Sequence, residues 1–277
     1  MLFGAHVSIA GGIFNAPLNA AAIGCEVFQM FTRSPHGGLV KPITPEVAAL
    51  FKTNMALCAQ SECYIHAPYF INYASANNRI RYGSISVIRQ ELERGTLLGA
   101  KYVMVHLGSY KDLGAKEGFK QLVEGLDKTL NGYRGSTEFL IEITAGAGQI
   151  IGDTFEEIAK IIYHSKLKKY NIGVCYDTQH AFASGYDCRT PAQVEKTLRD
   201  FDKIIGLNKL KLVQCNDSKT EFGSHHDRHE HIGQGKIGLA GFKAILGNKD
   251  FQKINFVLET EHNKVREDLK ILKTIRG

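Results

Sequence analysis

Short apolar runs rich in β-branched and aromatic residues recur along the chain, separated by longer stretches whose apolar positions repeat with helical spacing. The runs at 2–7, 25–31, 63–66, 102–106, 139–142, 172–177, 210–215 and 255–259 predict strands, nearly continuous in apolar character and therefore buried on both faces. The stretches 12–23, 44–59, 84–99, 115–131, 154–168, 190–206, 239–247 and 264–275 predict amphipathic helices. Several helix starts carry a polar cap: Thr44 before Pro45, Asp153 or Thr154 before FEEIAKII, and Thr190 before Pro191. This alternation predicts an α/β fold in which a parallel sheet closes into a (β/α)8 barrel, with residues 1–277 in one domain. An open doubly wound sheet is the rival. It would carry a glycine-rich phosphate turn after its first strand, and AHVSIAGG (5–12) lacks the G-x-G-x-x-G spacing. The long connections 31–43, 66–83 and 216–238 then fall on the C-terminal face of the barrel, where loops carry function.

At 277 residues and 44% hydrophobic content, the chain can bury a large core. It shows no leader-like segment and no apolar run long enough to cross a bilayer, so no membrane partner is expected and the expected location is the cytoplasm. Cys25, Cys58, Cys63, Cys175, Cys188 and Cys215 form no C-x-x-C pair, which argues against a zinc finger and against a disulfide framework. The net charge of +6 permits a polyanionic partner without requiring one.

Most of the predicted strands stop at a side chain able to bind a metal. His66 follows CYI, His106 follows KYVMV, Glu142 follows FLI, and Asp177 follows IGVCY with His180 three residues on. Gln214 follows KLKLV, Glu259 follows INFVL, and Asp227 and His229 lie in the 216–238 connection. Imidazoles and carboxylates hold zinc at roughly 2.0–2.2 Å, and a barrel brings distant strand ends within reach of one ion. His66, His106 and Glu142 can share one ion, and Asp177, residue 214 and Glu259 a second. His180, Asp227 and His229 remain, and a carboxylate such as Glu142 can bridge two ions. A lone His at a strand end is more often a hydrogen-bonded structural residue, and a lone Asp or Glu often caps a helix. So many such groups at one end of one barrel are poorly explained that way, and metal ligation is preferred. His164 and His262 read as solvated; His225, His226 and His231 as phosphate-facing or as outer partners of the ligands; His6 as an outer partner or as packing.

DTQHAFASGYDCRTP (177–191), NDSK (216–219), DRHEHIGQGKIG (227–238), AHVSIAGG (5–12) and EITAGAG (142–148) together resemble the endonuclease IV family of apurinic/apyrimidinic (AP) DNA endonucleases. The resemblance runs from the first strand to LETE (258–261), and Asp-Arg-His followed by Gly-x-Gly-x-Ile-Gly is its most specific part. It implies a TIM barrel with a cluster of three zinc ions that works on duplex DNA in base excision repair. Such an enzyme flips an abasic nucleotide outward and hydrolyses the phosphodiester on its 5′ side, leaving a 3′-hydroxyl and a 5′-deoxyribose phosphate. A 3′-phosphodiesterase side activity and a monomeric state go with that reading. One ion would take His66, His106 and Glu142; the second Glu142, Asp177, residue 214 and Glu259; the third His180, Asp227 and His229. Glu142 would be the catalytic residue, bridging ions and orienting the attacking oxygen.

The chain departs from that pattern at three places. Gln214 stands where the resemblance implies His, and its neutral carbonyl is a harder donor, so Mn²⁺ can compete with zinc there. FTRSPHGG (31–38) puts His36 at the place of an Arg that fills the gap in the base stack, with Gly38 where an aromatic is usual, leaving Arg33 as a substitute. Ile143 replaces an Asn. Tyr69 and Phe70 match positions that enter the minor groove at the lesion, and Asn72, Asn216 and Lys219 are further candidate DNA contacts. The competing function is a sugar isomerase or epimerase with one divalent ion on Glu142, Asp177, residue 214 and Glu259. In that case His66, His106, His180, Asp227 and His229 would be surplus. A DNA-binding protein without chemistry is the third reading.

Overall fold

The computed structural model describes residues 1–38 and 40–277. Its strands are β1 (Phe3–Val7), β2 (Val27–Met30), β3 (Cys63–His66), β4 (Tyr102–Val105), β5 (Glu138–Glu142), β6 (Ile172–Asp177), β7 (Leu210–Gln214), β8 (Asp217–Ser218), β9 (His229–Glu230) and β10 (Asn255–Leu258). All but β8 and β9 pair in parallel and close into a barrel in the order β1-β10-β7-β6-β5-β4-β3-β2. The rival open sheet is excluded, because β1 pairs with both β2 and β10. Gly4 permits that closure: a Cβ there would lie 1.7 Å from the Val27 carbonyl oxygen.

Side chains alternate across each strand, so every second residue faces the barrel lumen. Val27, Tyr64, Tyr102, Met104, Leu140, Cys175, Leu212 and Val257 form a separate apolar cluster that fills this lumen. The apolar strand residues of the opposite parity pack outward against the helices in one large core. Counting two residues on from the lumen cluster gives Gln29, His66, His106, Glu142, Asp177, Gln214 and Glu259, and from Gly4 it gives His6. The apolar plug thus ends, on every barrel strand, under a polar side chain.

The helices are α1 (Ala16–Ala22), α2 (Pro45–Leu57), α3 (Asn78–Leu98), α4 (Gly114–Leu130), α5 (Phe155–Ile162), α6 (Thr178–Ala183), α7 (Pro191–Ile204), α8 (Gly238–Gly247) and α9 (Val265–Arg276). The Thr44, Thr154 and Thr190 hydroxyls accept from the backbone N–H groups of Val47, Glu157 and Gln193, as their cap positions require. Three boundaries depart from the sequence pattern. α3 begins at 78 rather than 84, because the Asn77 carboxamide accepts from Arg79 and Ile80 N–H and starts the helix within a polar stretch. The predicted helix at 12–23 is a 3-10 turn (Ile13–Asn15) followed by α1. The predicted helix at 154–168 ends at Ile162. All six cysteines are free, and all but Cys58 are buried.

Candidate metal centre

At the C-terminal mouth of the barrel the strand-end side chains meet around a cavity of about 390 Å³. Three groups of donors have their ligand atoms within 4.8 Å of one another: His66–His106–Glu142, Asp177–His180–His229 and Glu142–Asp177–Glu259. The first is the set expected from the sequence. The second brings in Asp177 beside the expected His180 and His229, while Asp227 lies 3.3 Å from His180 Nε2 and 3.4 Å from His229 Nε2. Glu142 and Asp177 chain the three groups together.

Glu142 is fully buried. Its Oε1 lies 3.0 Å from His106 Nε2 and 3.3 Å from His180 Nδ1, and its Oε2 lies 3.2 Å from His66 Nε2. Neither oxygen has a hydrogen-bond partner of acceptable geometry. Atoms that close without hydrogen bonds fit ligands of a common cation: two donors each about 2.1 Å from one ion lie about 3.0–3.4 Å apart at right-angled to tetrahedral bond angles. The residues present therefore fit a divalent metal cluster.

The charges agree with the distances. Burial by itself pushes His66 down, but the Glu142 carboxylate, helped by Glu259, raises it to about 9. Burial opposes His180 in the same way, yet Asp177, Asp227 and Glu142 carry it well above the ordinary imidazole value. Glu142 is held well below the usual carboxylate range against its burial, by His106 and His66. Glu259 is raised by burial and by the neighbouring Glu142 and Asp177 carboxylates, against the pull of His66. His6, buried beside His66, is pushed down to about 3 and stays neutral. The pocket thus draws positive charge, which bound cations supply without protons.

Outer contacts aim the donors. The His66 Nδ1 lies 2.6 Å from the Ala67 carbonyl, leaving Nε2 to the cavity, and the His180 Nδ1 lies 3.0 Å from the Ile143 carbonyl. Asp177 also caps α6, accepting from His180 N–H at 2.8 Å, so the sharp strand-to-helix turn itself puts His180 in place. Asp227 and His229 arrive on the β8–β9 hairpin. A nest of backbone N–H groups anchors its base, where Gly233, Gly235, Ile237 and Gly238 all donate to the Asp217 carboxylate at 2.9–3.3 Å. Any Cβ at Gly235 would lie 2.4 Å from the Ser218 carbonyl oxygen.

The remaining candidates divide by position. Gln214 is buried in the ring, but its Nε2 donates to Glu259 Oε1 at 3.0 Å. Tyr69 and Phe70 are exposed on the rim, and the Tyr69 ring packs edge-on against Phe31 and His66. His36 is exposed beside Tyr69, its ring centroid 6.1 Å away. Lys219 is half-exposed and 3.5 Å from Glu261. Asn72 accepts from the N–H groups of Ala74 and Ser109 and ties two rim loops together. Two expectations need correction. Arg33 does not reach the rim, because its guanidinium is buried in an ion pair with Glu91 on α3. Asn216 does not face a ligand: fully buried, it donates to Asp177 Oδ2 at 2.6 Å and accepts from Glu259 N–H at 2.8 Å, positioning two of the donors. Of the other imidazoles, His231 is buried in a 2.7 Å contact with Asp268 on α9, which is a structural role.

Sequence reasoning missed Gln29, whose Nε2 is 2.5 Å from Glu259 Oε1 and 2.9 Å from His6 Nδ1. The signal was available: a Gln inside the apolar run EVFQMF at the lumen-facing parity.

Residues 17–275 match the family model described as the xylose isomerase-like TIM barrel, the class that the closed sheet and its ring of donors define. Within it, the chain is 36% identical to the protein named Probable endonuclease 4 from Halothermothrix orenii, over 100% of this chain and 99% of that one. The crystal structure of endonuclease IV from Thermus thermophilus superposes with a TM-score of 0.87 at 31% identity, covering 99% of this chain and 98% of that one. The chain belongs to the endonuclease IV family. A D-tagatose 3-epimerase-like protein, with a TM-score of 0.73 at 19% identity over 99% and 97% of the two chains, shares the fold.

Proposed function

We propose that the protein is a metal-dependent repair endonuclease that cuts duplex DNA on the 5′ side of an abasic site, leaving a 3′-hydroxyl and a 5′-deoxyribose phosphate. The observation that carries this reading is the chain of three donor groups linked through Glu142 and Asp177 at the floor of an open cavity. Zinc is the ion best matched to the two imidazole-containing groups. When bound, such ions lower the pKa of a coordinated water to about 7 and offset the negative charge that a phosphoryl group gains in its transition state.

The chain's own residues supply the rest. Glu142, the catalytic carboxylate in this proposal, turns Oε2 toward His66 and Oε1 toward both His106 and His180, so it would link donors of two groups. Asp227, exposed at the mouth, and His229 close the cavity on the side of the hairpin. Tyr69 lines the cavity and Phe70 follows it as an exposed neighbour, and in this proposal the two rings enter the gap that a missing base leaves. Extruding an abasic nucleotide costs less than flipping an intact one, because its stacking is already lost. A sugar epimerase would leave the imidazoles of His106, His180 and His229 without a task.

A duplex carrying one tetrahydrofuran residue tests the proposal. A single nick 5′ to that residue is expected, lost on chelation, restored by Zn²⁺, and absent from the matched intact duplex. Absence of nicking with Zn²⁺ or Mn²⁺ supplied overturns it.

A further inference from the structure

The three donor groups differ in chemistry. Two combine imidazole nitrogens with a carboxylate, whereas Glu142–Asp177–Glu259 is carboxylate alone. Gln214, in register between Asp177 of β6 and Val257 of β10, is the side chain that could have added a nitrogen ligand. It brings a carboxamide instead. Its Nε2 donates to Glu259 Oε1, and Gln29 donates to the same oxygen from the facing strand. Both amides are fully buried, and His6, Gln29, Gln214 and Glu259 form one hydrogen-bonded row across the lumen. Two N–H donors on one carboxylate oxygen fix the Glu259 head group in place. Glu142, a member of the same group, is fully buried with both oxygens lacking a hydrogen-bond partner.

From this geometry we propose that Glu142–Asp177–Glu259 is an exchangeable site for a hard divalent cation of the Mn²⁺ class, beside two nitrogen-containing sites that retain zinc, and that Gln29 and Gln214 are its positioning residues. Carboxylate and carbonyl oxygens suit Mn²⁺ and Mg²⁺, whereas imidazole suits zinc. A carboxylate-only group should therefore release zinc on dialysis while its neighbours keep theirs. The proposal rests on the metal-centre reading above, and the experiment separates the failure of one from the failure of the other.

The intact protein is loaded with Zn²⁺, dialysed exhaustively and analysed by elemental mass spectrometry, then titrated with Mn²⁺ while the free-ion electron paramagnetic resonance signal is followed. Two zinc ions per chain are expected after dialysis, followed by uptake of one Mn²⁺. Gln214→His should retain a third zinc and take up no Mn²⁺. Gln29→Met should keep two zinc ions, which also reports a folded barrel, while weakening Mn²⁺ binding about tenfold through loss of a charge-assisted hydrogen bond. Three zinc ions on the unaltered chain, no Mn²⁺ uptake by the two-zinc form, or both variants behaving as the unaltered chain would each overturn the proposal. Retention of no metal at all would overturn the metal-centre reading with it.

Discussion

A buried carboxylate whose two oxygens lack hydrogen bonds is costly to a fold unless something positive stands beside it. At Glu142 that partner is supplied by three imidazoles within 3.3 Å, and bound cations can take over the role with full charge. Glu142→Gln keeps the shape but removes the charge and one of the two acceptor oxygens. Metal retention should fall by more than the roughly 10–100-fold typical of losing an outer partner, and nicking should fall with it. Elemental analysis with a circular dichroism control for folding checks this, and full metal content in the variant would show that Glu142 is no ligand. Glu142, His66 and His106 were legible in the sequence because each interrupts an apolar run at its end. Asn216 was legible as a polar residue but not in its role. Its partners, Asp177 and Glu259, lie 39 and 43 positions away, and nothing local announces that it turns inward. Gln29 was hidden by its apolar neighbours, since only the parity of the strand separates a lumen-facing amide from an outward one.

At the level of elements, the barrel strands and most helices could be read from periodicity, because a strand buried on both faces and an amphipathic helix leave different patterns over several residues. The pieces that escaped are those too short to show a period: α6, six residues all buried, and the two-residue strands β8 and β9. They matter more than their length suggests, because they carry His180 and His229. What holds the hairpin is the Asp217 carboxylate, the acceptor for four backbone N–H groups of the GQGKIG loop. In Asp217→Asn, one acceptor oxygen becomes an NH₂ that faces donors. With hydrogen bonds to a charged acceptor worth about 1.5–3 kcal/mol each, a loss of about 3 kcal/mol in stability is expected, read from urea unfolding. Zinc at the group containing His180 and His229 should weaken too, while His66 and His106, carried on β3 and just beyond β4, keep theirs. A variant as stable as the parent would mean that the loop holds its shape without this anchor.

For the molecule as a whole, the proposed function requires a duplex to meet the C-terminal mouth of the barrel and lesion recognition to separate from general attraction to phosphates. Tyr69, which lines the cavity, and its neighbour Phe70 are 61% and 39% accessible, whereas the expected Arg33 is folded away against Glu91. That inward turn was invisible in the sequence, because the partner lies 58 positions downstream on a helix whose packing the local pattern does not specify. With Arg33 committed elsewhere, the proposed function would leave the filling of the gap in the stack to the two aromatics and to His36 beside Tyr69. Aromatic contacts with bases are worth about 1–3 kcal/mol each by alanine substitution. Tyr69→Ala combined with Phe70→Ala should therefore raise KM for an abasic duplex at least about tenfold. The salt dependence of binding, set by phosphate contacts elsewhere, should keep its slope. Neither side chain is a metal donor, so zinc content should stay that of the parent protein. Measuring KM, kcat, zinc content and the salt slope on one preparation distinguishes the outcomes. A raised KM with unchanged zinc and slope places the aromatics at the lesion. A parallel fall in zinc content would instead make Tyr69, packed on His66, a support for the metal centre, and an unchanged KM would remove both residues from recognition.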